Sequence, residues 1–166
     1  MARQLWLLRH ADAEPHGTRP DPERALTPRG ERQAIAAGAA IARMDVEFEA
    51  VLFSPKVRSA QTAQLAARAA GEKLAEAMRE HPPLAEGYGA AQALDDLAGL
   101  SADARLLLVG HEPDLAVVIG DLTGAPVSLK KGGLAVVRLR GAAGELAVLL
   151  RPLELALIAG KATAEV

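Results

Sequence analysis

Short apolar runs alternate with amphipathic stretches along most of the chain. Three apolar runs predict buried strands, at residues 5–8, 50–54 and 105–109. Apolar residues at helical spacing predict four helices, at 28–44, 57–70, 90–100 and 112–122. Thr27 before Pro28 is typical of a helix start, and Gly71 is typical of a helix end. Within the first helix, Gly38 is expected to permit close packing on a sheet.

The second half of the chain adds a predicted hairpin. Residues 134–140 and 145–150 predict two strands, and the four-residue loop Gly141-Ala142-Ala143-Gly144 suits a β-hairpin between them. Residues 73–80 fit either a helix or a weak strand, and the tail after residue 153 fits a short helix. Residues 12–26 form a polar loop long enough to carry a site.

Strands that alternate with helices predict an α/β protein. We expect a three-layer α/β/α arrangement around a mostly parallel sheet that carries an antiparallel hairpin. The chain has 166 residues and shows no internal repeat, linker or composition break, so residues 1–166 are expected to form a single domain.

The composition of the chain excludes several classes of function. The net charge is −2, which argues against general affinity for nucleic acid or an anionic membrane but leaves room for a local basic pocket. The absence of cysteine excludes disulfides, thiolate catalysis and cysteine-bound zinc. Neither a secretory pattern nor an apolar stretch of roughly 20 residues is present, so a cytoplasmic location is expected.

Four charged or titratable residues stand at positions where ligands bind in α/β sheets. Arg9 and His10 follow the first apolar strand, His111 follows the strand at 105–109, and Arg58 lies at the start of a helix. Each alone is as well explained by a capping or solvated role. Together they would meet at one sheet edge, where arginines match phosphate geometry and one histidine could attack phosphorus.

Four segments, in the same order, resemble the motifs of the histidine phosphatase superfamily, the phosphoglycerate-mutase-like proteins. They are Leu8-Arg9-His10-Ala11, Arg24-Ala25-Leu26-Thr27-Pro28-Arg29-Gly30, Ser54-Pro55-Lys56-Val57-Arg58-Ser59-Ala60-Gln61-Thr62-Ala63 and Val109-Gly110-His111-Glu112-Pro113. The resemblance spans residues 3 to 153. The sequence departs from the family at Ala11, where glycine is usual, so the backbone there must have a negative φ.

The resemblance implies a mechanism. His10 would be the nucleophile that becomes phosphorylated, and Arg9, Arg58 and His111 would form the phosphate pocket, with no metal or other cofactor. Arg24 could reach the incoming phosphate, although a surface role suits it equally. The short chain is similar to the compact SixA-type phosphohistidine phosphatases, which implies a phosphorylated protein as the partner.

The acid that protonates the leaving group is the open question. Glu86 is the best-placed candidate, although a solvated loop glutamate explains it slightly better, and solvated positions are expected for Asp12 and Glu14. With Glu86 as acid, the alternative is a phosphatase of small phosphomonoesters; a non-catalytic phosphate-binding adaptor is a further alternative. His16 and the pair Lys130-Lys131 are expected to be solvated, and His81 to belong to a turn.

Overall fold

Six strands form one sheet, and helices cover both of its faces. The structure, a computed structural model, describes residues 2–166. The strands are β1 Gln4–Arg9, β2 Ala50–Phe53, β3 Met78–Glu80, β4 Arg105–Gly110, β5 Leu134–Arg140 and β6 Ala143–Leu150. The helices are α1 Pro28–Arg43, α2 Val57–Ala70, α3 Glu72–Glu76, α4 Ala90–Ala98, α5 Asp114–Thr123 and α6 Pro152–Ala159, with 3-10 turns at Asp21–Glu23 and Pro82–Ala85.

The strands lie in the order β3-β2-β4-β1-β5-β6. Strands β1 to β4 pair in parallel, whereas β5 is antiparallel to both β1 and β6. The predicted mostly parallel sheet with an antiparallel hairpin is therefore confirmed. The two central strands, β1 and β4, lie side by side with Arg9 opposite Gly110, so both end at the same edge.

Alternation along β1 divides the core into two layers. Leu5 and Leu7 pack with residues of α4 and α5 on one face, whereas Trp6 and Leu8 pack with residues of α1, α2 and α6 on the other. All four side chains are buried because the central strand is covered on both faces. This arrangement confirms the three-layer α/β/α prediction. No helix among residues 2–166 has the length and apolar character to cross a membrane.

Two predictions about local structure change. The predicted four-residue hairpin loop is wrong, because β6 begins at Ala143 and leaves a two-residue turn. Gly141 adopts φ +65° as the first residue of that turn, a conformation that glycine favours. The stretch 73–80 contains both candidates, a short helix followed by strand β3.

Gly38 permits close packing on a helix, not on the sheet as expected. A Cβ atom at Gly38 would lie 2.0 Å from the carbonyl oxygen of Ala66 in α2. The close approach of α1 and α2 therefore requires a residue without a side chain at this position.

Candidate active site

Two histidines meet at the carboxyl edge of the sheet. His10 follows β1 and His111 follows β4, and the backbone N–H of His10 donates to the carbonyl of Gly110 over 2.9 Å. The two imidazole ring centres lie 5.2 Å apart with the planes tilted by 50°. The parallel pairing of the two strands thus brings together the histidines that the sequence places 101 positions apart.

The hydrogen bond of His10 determines its tautomer. Nδ1 lies 2.8 Å from the carbonyl oxygen of Ala11, which can only accept, so in the neutral ring Nδ1 carries the proton and Nε2 carries the lone pair. Burial lowers the pKa of His10 to about 3, an effect increased by the charges of His111, Arg58 and Arg9 and opposed by the bond to Ala11. The ring is therefore neutral at physiological pH, as a nucleophile must be.

His111 is held by Ser54, a buried residue that follows β2. Nε2 of His111 lies 2.7 Å from the Ser54 hydroxyl oxygen, which also accepts the backbone N–H of Lys56. We assign the hydroxyl proton to the bond with Nε2, so that Nδ1 of His111 is an N–H donor. Burial, together with the charges of Arg58 and Lys56, lowers the pKa of His111 to about 3.

Two arginines border the histidines. Arg9 Nη1 donates to the carbonyl of Leu129 over 2.9 Å. Arg58, with only 5% of its surface exposed, donates through Nη1 to the backbone carbonyl of Asp21 over 2.8 Å. Burial lowers the pKa of both guanidinium groups, but an arginine remains charged at any physiological pH.

Buried nitrogen atoms without a partner are concentrated in this site. Among residues 2–166, the buried side-chain nitrogen and oxygen atoms that lack a hydrogen-bond partner are Arg9 Nε, Arg58 Nε and His111 Nδ1. Leaving such a group unpaired costs about 1–3 kcal/mol, so folded proteins seldom retain one without a reason. In the tautomer assigned above all three are donors, so the acceptor that each of them lacks is of the kind that an anion provides.

Asp21 connects the cations of the site, and no sequence pattern indicated it. Its carboxylate accepts from Arg24 over 2.8 Å, from Lys56 over 3.2 Å and from Arg58 over 3.3 Å. The hydrogen bond from Arg24 lowers the pKa of this carboxyl well below its usual range, and those from Lys56 and Arg58 add to the effect. Asp21, which lies in the loop at 12–26, thus fixes the position of the Arg58 guanidinium.

Arg24 occupies a different place from the one expected. A surface position is wrong, because the residue is only 6% exposed. Its guanidinium donates to the Asp21 carboxylate and, over 2.6 Å, to the carbonyl of Glu14. Arg24 therefore closes the loop at 12–26, and its contact with substrate stays a prediction.

Glu86 lies on the rim of the site. It follows the 3-10 turn Pro82–Ala85, whose buried Leu84 packs near Gly110 at the end of β4. The Glu86 side chain is exposed and makes no hydrogen bond or ion pair among residues 2–166. The structure therefore brings Arg9, His10, Arg58 and His111 together and leaves Glu86 at the margin without a group that would orient it.

The motif segments also contain residues that support the site. Ala11 is fully buried, does not have a positive φ, and donates its backbone N–H to Thr62 over 3.0 Å, so the methyl group is accommodated. Gly30 packs on the backbone of Asp12, where a Cβ atom would lie 1.9 Å from the carbonyl oxygen. Ser54 and Thr62 belong to the motif around Arg58, which could have indicated them, whereas Asp21 lies outside every motif.

His16 and His81 have the roles of a surface residue and a structural residue. The side chain of His16 is 87% exposed. His81 Nε2 lies 3.0 Å from Asp96, whose carboxylate also accepts the hydroxyl of Tyr88. No group of three or more histidine, cysteine, aspartate or glutamate residues within 2–166 is arranged to hold a metal ion.

Two imidazoles and two guanidinium groups at the carboxyl edge of a mostly parallel sheet are the constellation of a phosphate-handling α/β enzyme. The model of the histidine phosphatase superfamily (branch 1) matches residues 5–92, more than half of the chain. The chain belongs to the histidine phosphatase superfamily, and its class of activity is that of a phosphatase.

Individual relatives agree with the family. An uncharacterised protein of Picosynechococcus sp. is 31% identical over 147 residues, which cover 81% of this chain and 84% of that protein. The protein histidine phosphatase SixA, solved with tungstate, has a TM-score of 0.82 at 23% identity and covers 92% of this chain and 99% of its own. A Nakamurella multipartitia protein assigned as phosphohistidine phosphatase SixA has a TM-score of 0.75 at 28% identity, with 92% and 98% covered.

Proposed function

We propose that this phosphatase removes the phosphoryl group from a phosphohistidine on another protein and carries it transiently on Nε2 of His10. The observation that carries the proposal is the neutral His10 ring, whose Nδ1 is held by the Ala11 carbonyl, beside three buried N–H groups without a partner. A lone pair on Nε2 and an anion pocket next to it are what an attack on phosphorus requires.

The first step transfers the phosphoryl group. The substrate phosphohistidine reacts with a proton on its other ring nitrogen. Nε2 of His10 forms a bond to phosphorus while the bond between phosphorus and the substrate ring breaks, and the electron pair of that bond leaves with the ring as neutral imidazole. Arg9, Arg58 and His111 donate hydrogen bonds to the three remaining phosphoryl oxygens, over which charge spreads in the transition state. Burial strengthens these donors because little water competes for them.

The second step regenerates the enzyme. Water attacks phosphorus, the bond to Nε2 of His10 breaks, and inorganic phosphate leaves with the water proton passed to solvent or to the departing anion. Between the steps, the proton stays on Nδ1, which donates it to the Ala11 carbonyl, so the ring does not turn. Metal ions are not needed in this account, because two guanidinium groups supply the positive charge.

The leaving group supports a phosphohistidine as substrate. An imidazole departs readily, whereas an alkoxide must be protonated by a positioned acid as it leaves. Glu86, the candidate acid, is exposed and has no hydrogen-bond partner among residues 2–166. Similarity to proteins that are described as phosphohistidine phosphatases supports the same substrate class.

The alternative, a phosphatase of small phosphomonoesters with Glu86 as acid, is favoured by one observation. The 3-10 turn that precedes Glu86 packs through Leu84 at the end of β4, so the backbone of this segment passes near the strand that presents His111. The alternative requires this side chain to turn inward when a substrate binds.

Two peptides of one sequence test the proposal, one with phosphohistidine and one with phosphoserine at the same position. We expect kcat/KM to be higher for the phosphohistidine peptide by at least about a hundredfold, since only the serine alkoxide needs an acid. Glu86→Gln should leave both rates unchanged, as should Glu80→Gln, which removes an exposed carboxylate elsewhere. Faster hydrolysis of phosphoserine, lost in Glu86→Gln alone, would establish the alternative.

A further inference from the structure

A cleft with basic walls opens beside Arg9. Its volume is about 500 Å³. The side chains around it include five cations and one carboxylate, from Arg9, Arg29, Lys130, Lys131, Arg151 and Asp12. We call this space the basic cleft. Its charge is a local feature, since the chain as a whole has a net charge of −2.

The segment that carries the two lysines is attached directly to the candidate active site. The backbone N–H of Gly132 donates to the carbonyl oxygens of Arg9 and His10 over 3.1 and 3.0 Å. Gly133 donates in turn to the carbonyl of Lys130 over 2.7 Å, which closes a tight turn. Lys130 and Lys131 are therefore held in a fixed relation to the backbone of the proposed nucleophile.

Part of the positive charge in the basic cleft is not neutralised by a neighbouring carboxylate. Arg151 pairs with Glu154, and Lys131 lies 3.3 Å from Asp12. The Lys130 side chain is exposed and makes no hydrogen bond or ion pair among residues 2–166. Arg29 donates to the main-chain oxygen of Val166 over 3.2 Å. A surface with this excess of cations attracts anionic groups.

We propose that the basic cleft binds acidic side chains of the phosphorylated protein while its phosphoryl group occupies the pocket at His10. The inference rests on the proposed function and identifies what the partner must present beside the phosphohistidine. Arg9 lies in both places, because its Nε borders the phosphate pocket and its side chain lines the basic cleft. A partner with carboxylates next to the phosphohistidine would engage both at once.

Two phosphohistidine peptides of equal length, one with two aspartates beside the phosphohistidine and one with two asparagines there, provide the measurement. For the natural enzyme we expect kcat/KM to be about tenfold higher for the acidic peptide, from a few ion pairs that are each partly solvated. The ratio should approach one in 0.5 M salt, because exposed charges are then screened.

Two double charge reversals test whether the preference for the acidic peptide comes from the basic cleft. Lys130→Glu/Lys131→Glu is expected to bring the ratio of the two kcat/KM values to one or below. Arg138→Glu/Arg140→Glu makes the same change of charge at the other end of the sheet, because β5 runs antiparallel to β1, and should preserve the tenfold ratio. A ratio near one in the natural enzyme, or a ratio that both variants change equally, would overturn the inference.

A second measurement separates this inference from the proposed function. If an aryl phosphate is hydrolysed but neither peptide is, the proposed substrate is wrong. The unphosphorylated forms of the same two peptides are then tested as inhibitors of aryl phosphate hydrolysis. This measurement shows whether the basic cleft binds acidic side chains. Stronger inhibition by the acidic peptide, lost in Lys130→Glu/Lys131→Glu, supports the basic cleft. Equal inhibition by both peptides overturns it, and so does stronger inhibition by malonate, which would assign the cleft to small anions.

Discussion

Asp21 holds Arg58 through both its main chain and its side chain. The two guanidinium nitrogens of Arg58 lie 2.8 Å from the Asp21 carbonyl oxygen and 3.3 Å from its carboxylate. This pairing joins the loop at 12–26 to the start of α2 and fixes where the Arg58 guanidinium stands. The third nitrogen, Nε, is buried and has no hydrogen-bond partner.

Asp21 is expected to act on the reaction through Arg58. In Asp21→Ala we expect kcat/KM to fall roughly tenfold, mostly in kcat, because the guanidinium is no longer held where charge develops. In an Arg58→Ala background the same change should have almost no further effect on kcat/KM. Glu23→Ala, an exposed change in the same 3-10 turn, is the control. Additive losses in the double variant would show that Asp21 acts independently of Arg58.

The Asp21 ion pairs also predict a pH dependence of stability. The carboxyl has a depressed pKa in the folded protein, so its stabilising contribution is present above the unfolded pKa and is lost as the pH falls through the folded one. Asp21→Asn should therefore lower the free energy of unfolding at pH 7 by about 1 kcal/mol, the scale of partly solvated pairs. Urea unfolding should show this difference shrinking below pH 4; a difference that is constant with pH would contradict the assignment.

Ser54 is expected to maintain the tautomer of His111. Ser54→Ala removes the hydroxyl that bonds Nε2, so that Nδ1 no longer reliably carries the proton offered to the phosphoryl group. We expect kcat to fall roughly tenfold and the free energy of unfolding to fall by about 1 kcal/mol, because the buried Nε2 of His111 loses its partner. Ser128→Ala removes an exposed hydroxyl and serves as the matched control. Unchanged kcat in Ser54→Ala would show that His111 does not depend on this bond.

The burial of His10 predicts a second pH dependence of stability, in the same direction as that of Asp21 but with a different cause. Burial lowers the pKa of His10 to about 3, so in the unfolded chain the ring takes up a proton near pH 6.5 that the folded protein does not bind. The unfolded state therefore binds more protons between these values, and lowering the pH from 7.5 to 5 destabilises the fold. Urea unfolding of His10→Gln should show a loss smaller than that of the natural protein by roughly 2 kcal/mol. Equal losses would mean that His10 is not held neutral.

Gly30 is expected to be indispensable for the position of Asp12. An added Cβ would lie 1.9 Å from the Asp12 carbonyl oxygen, so either α1 or the end of the β1 segment must shift. We expect Gly30→Ala to lower the free energy of unfolding by about 3 kcal/mol. Gly120→Ala, in helix α5 with its nearest atom at 3.8 Å, should change it by less than about 1 kcal/mol. Similar midpoints in urea for the two variants would refute the packing argument.

Much of the fold is encoded locally and was predictable. The strands β1, β2 and β4 can be recognised in the sequence as continuous apolar runs, because a strand covered on both faces must be apolar throughout. The site residues Arg9, His10, Arg58 and His111 were predictable as a set, since strand ends and helix starts of one sheet meet at one edge. The hairpin turn was misjudged because small residues at 143 and 144 suit a loop as well as an edge strand.

Other features depend on contacts that no local pattern contains. Asp21 lies 37 positions before Arg58 in an irregular loop, so its partners follow only from how that loop folds back. The burial of Arg24 has the same cause, and so does the attachment of Lys130 and Lys131 beside His10. Gly38 was correctly expected to permit a close contact, but the sequence did not distinguish a helix from the sheet as its neighbour.

The most direct test of the proposed mechanism is the capture of a phosphorylated His10. After the enzyme is mixed with an excess of phosphohistidine peptide and quenched in alkali, which preserves phosphohistidine, peptide mapping should find one phosphoryl group, on residue 10. His16→Ala, which removes an exposed imidazole, should label equally, whereas His10→Ala should neither label nor turn over substrate. Turnover by His10→Ala at the rate of the natural enzyme, or label on another residue, would contradict the mechanism.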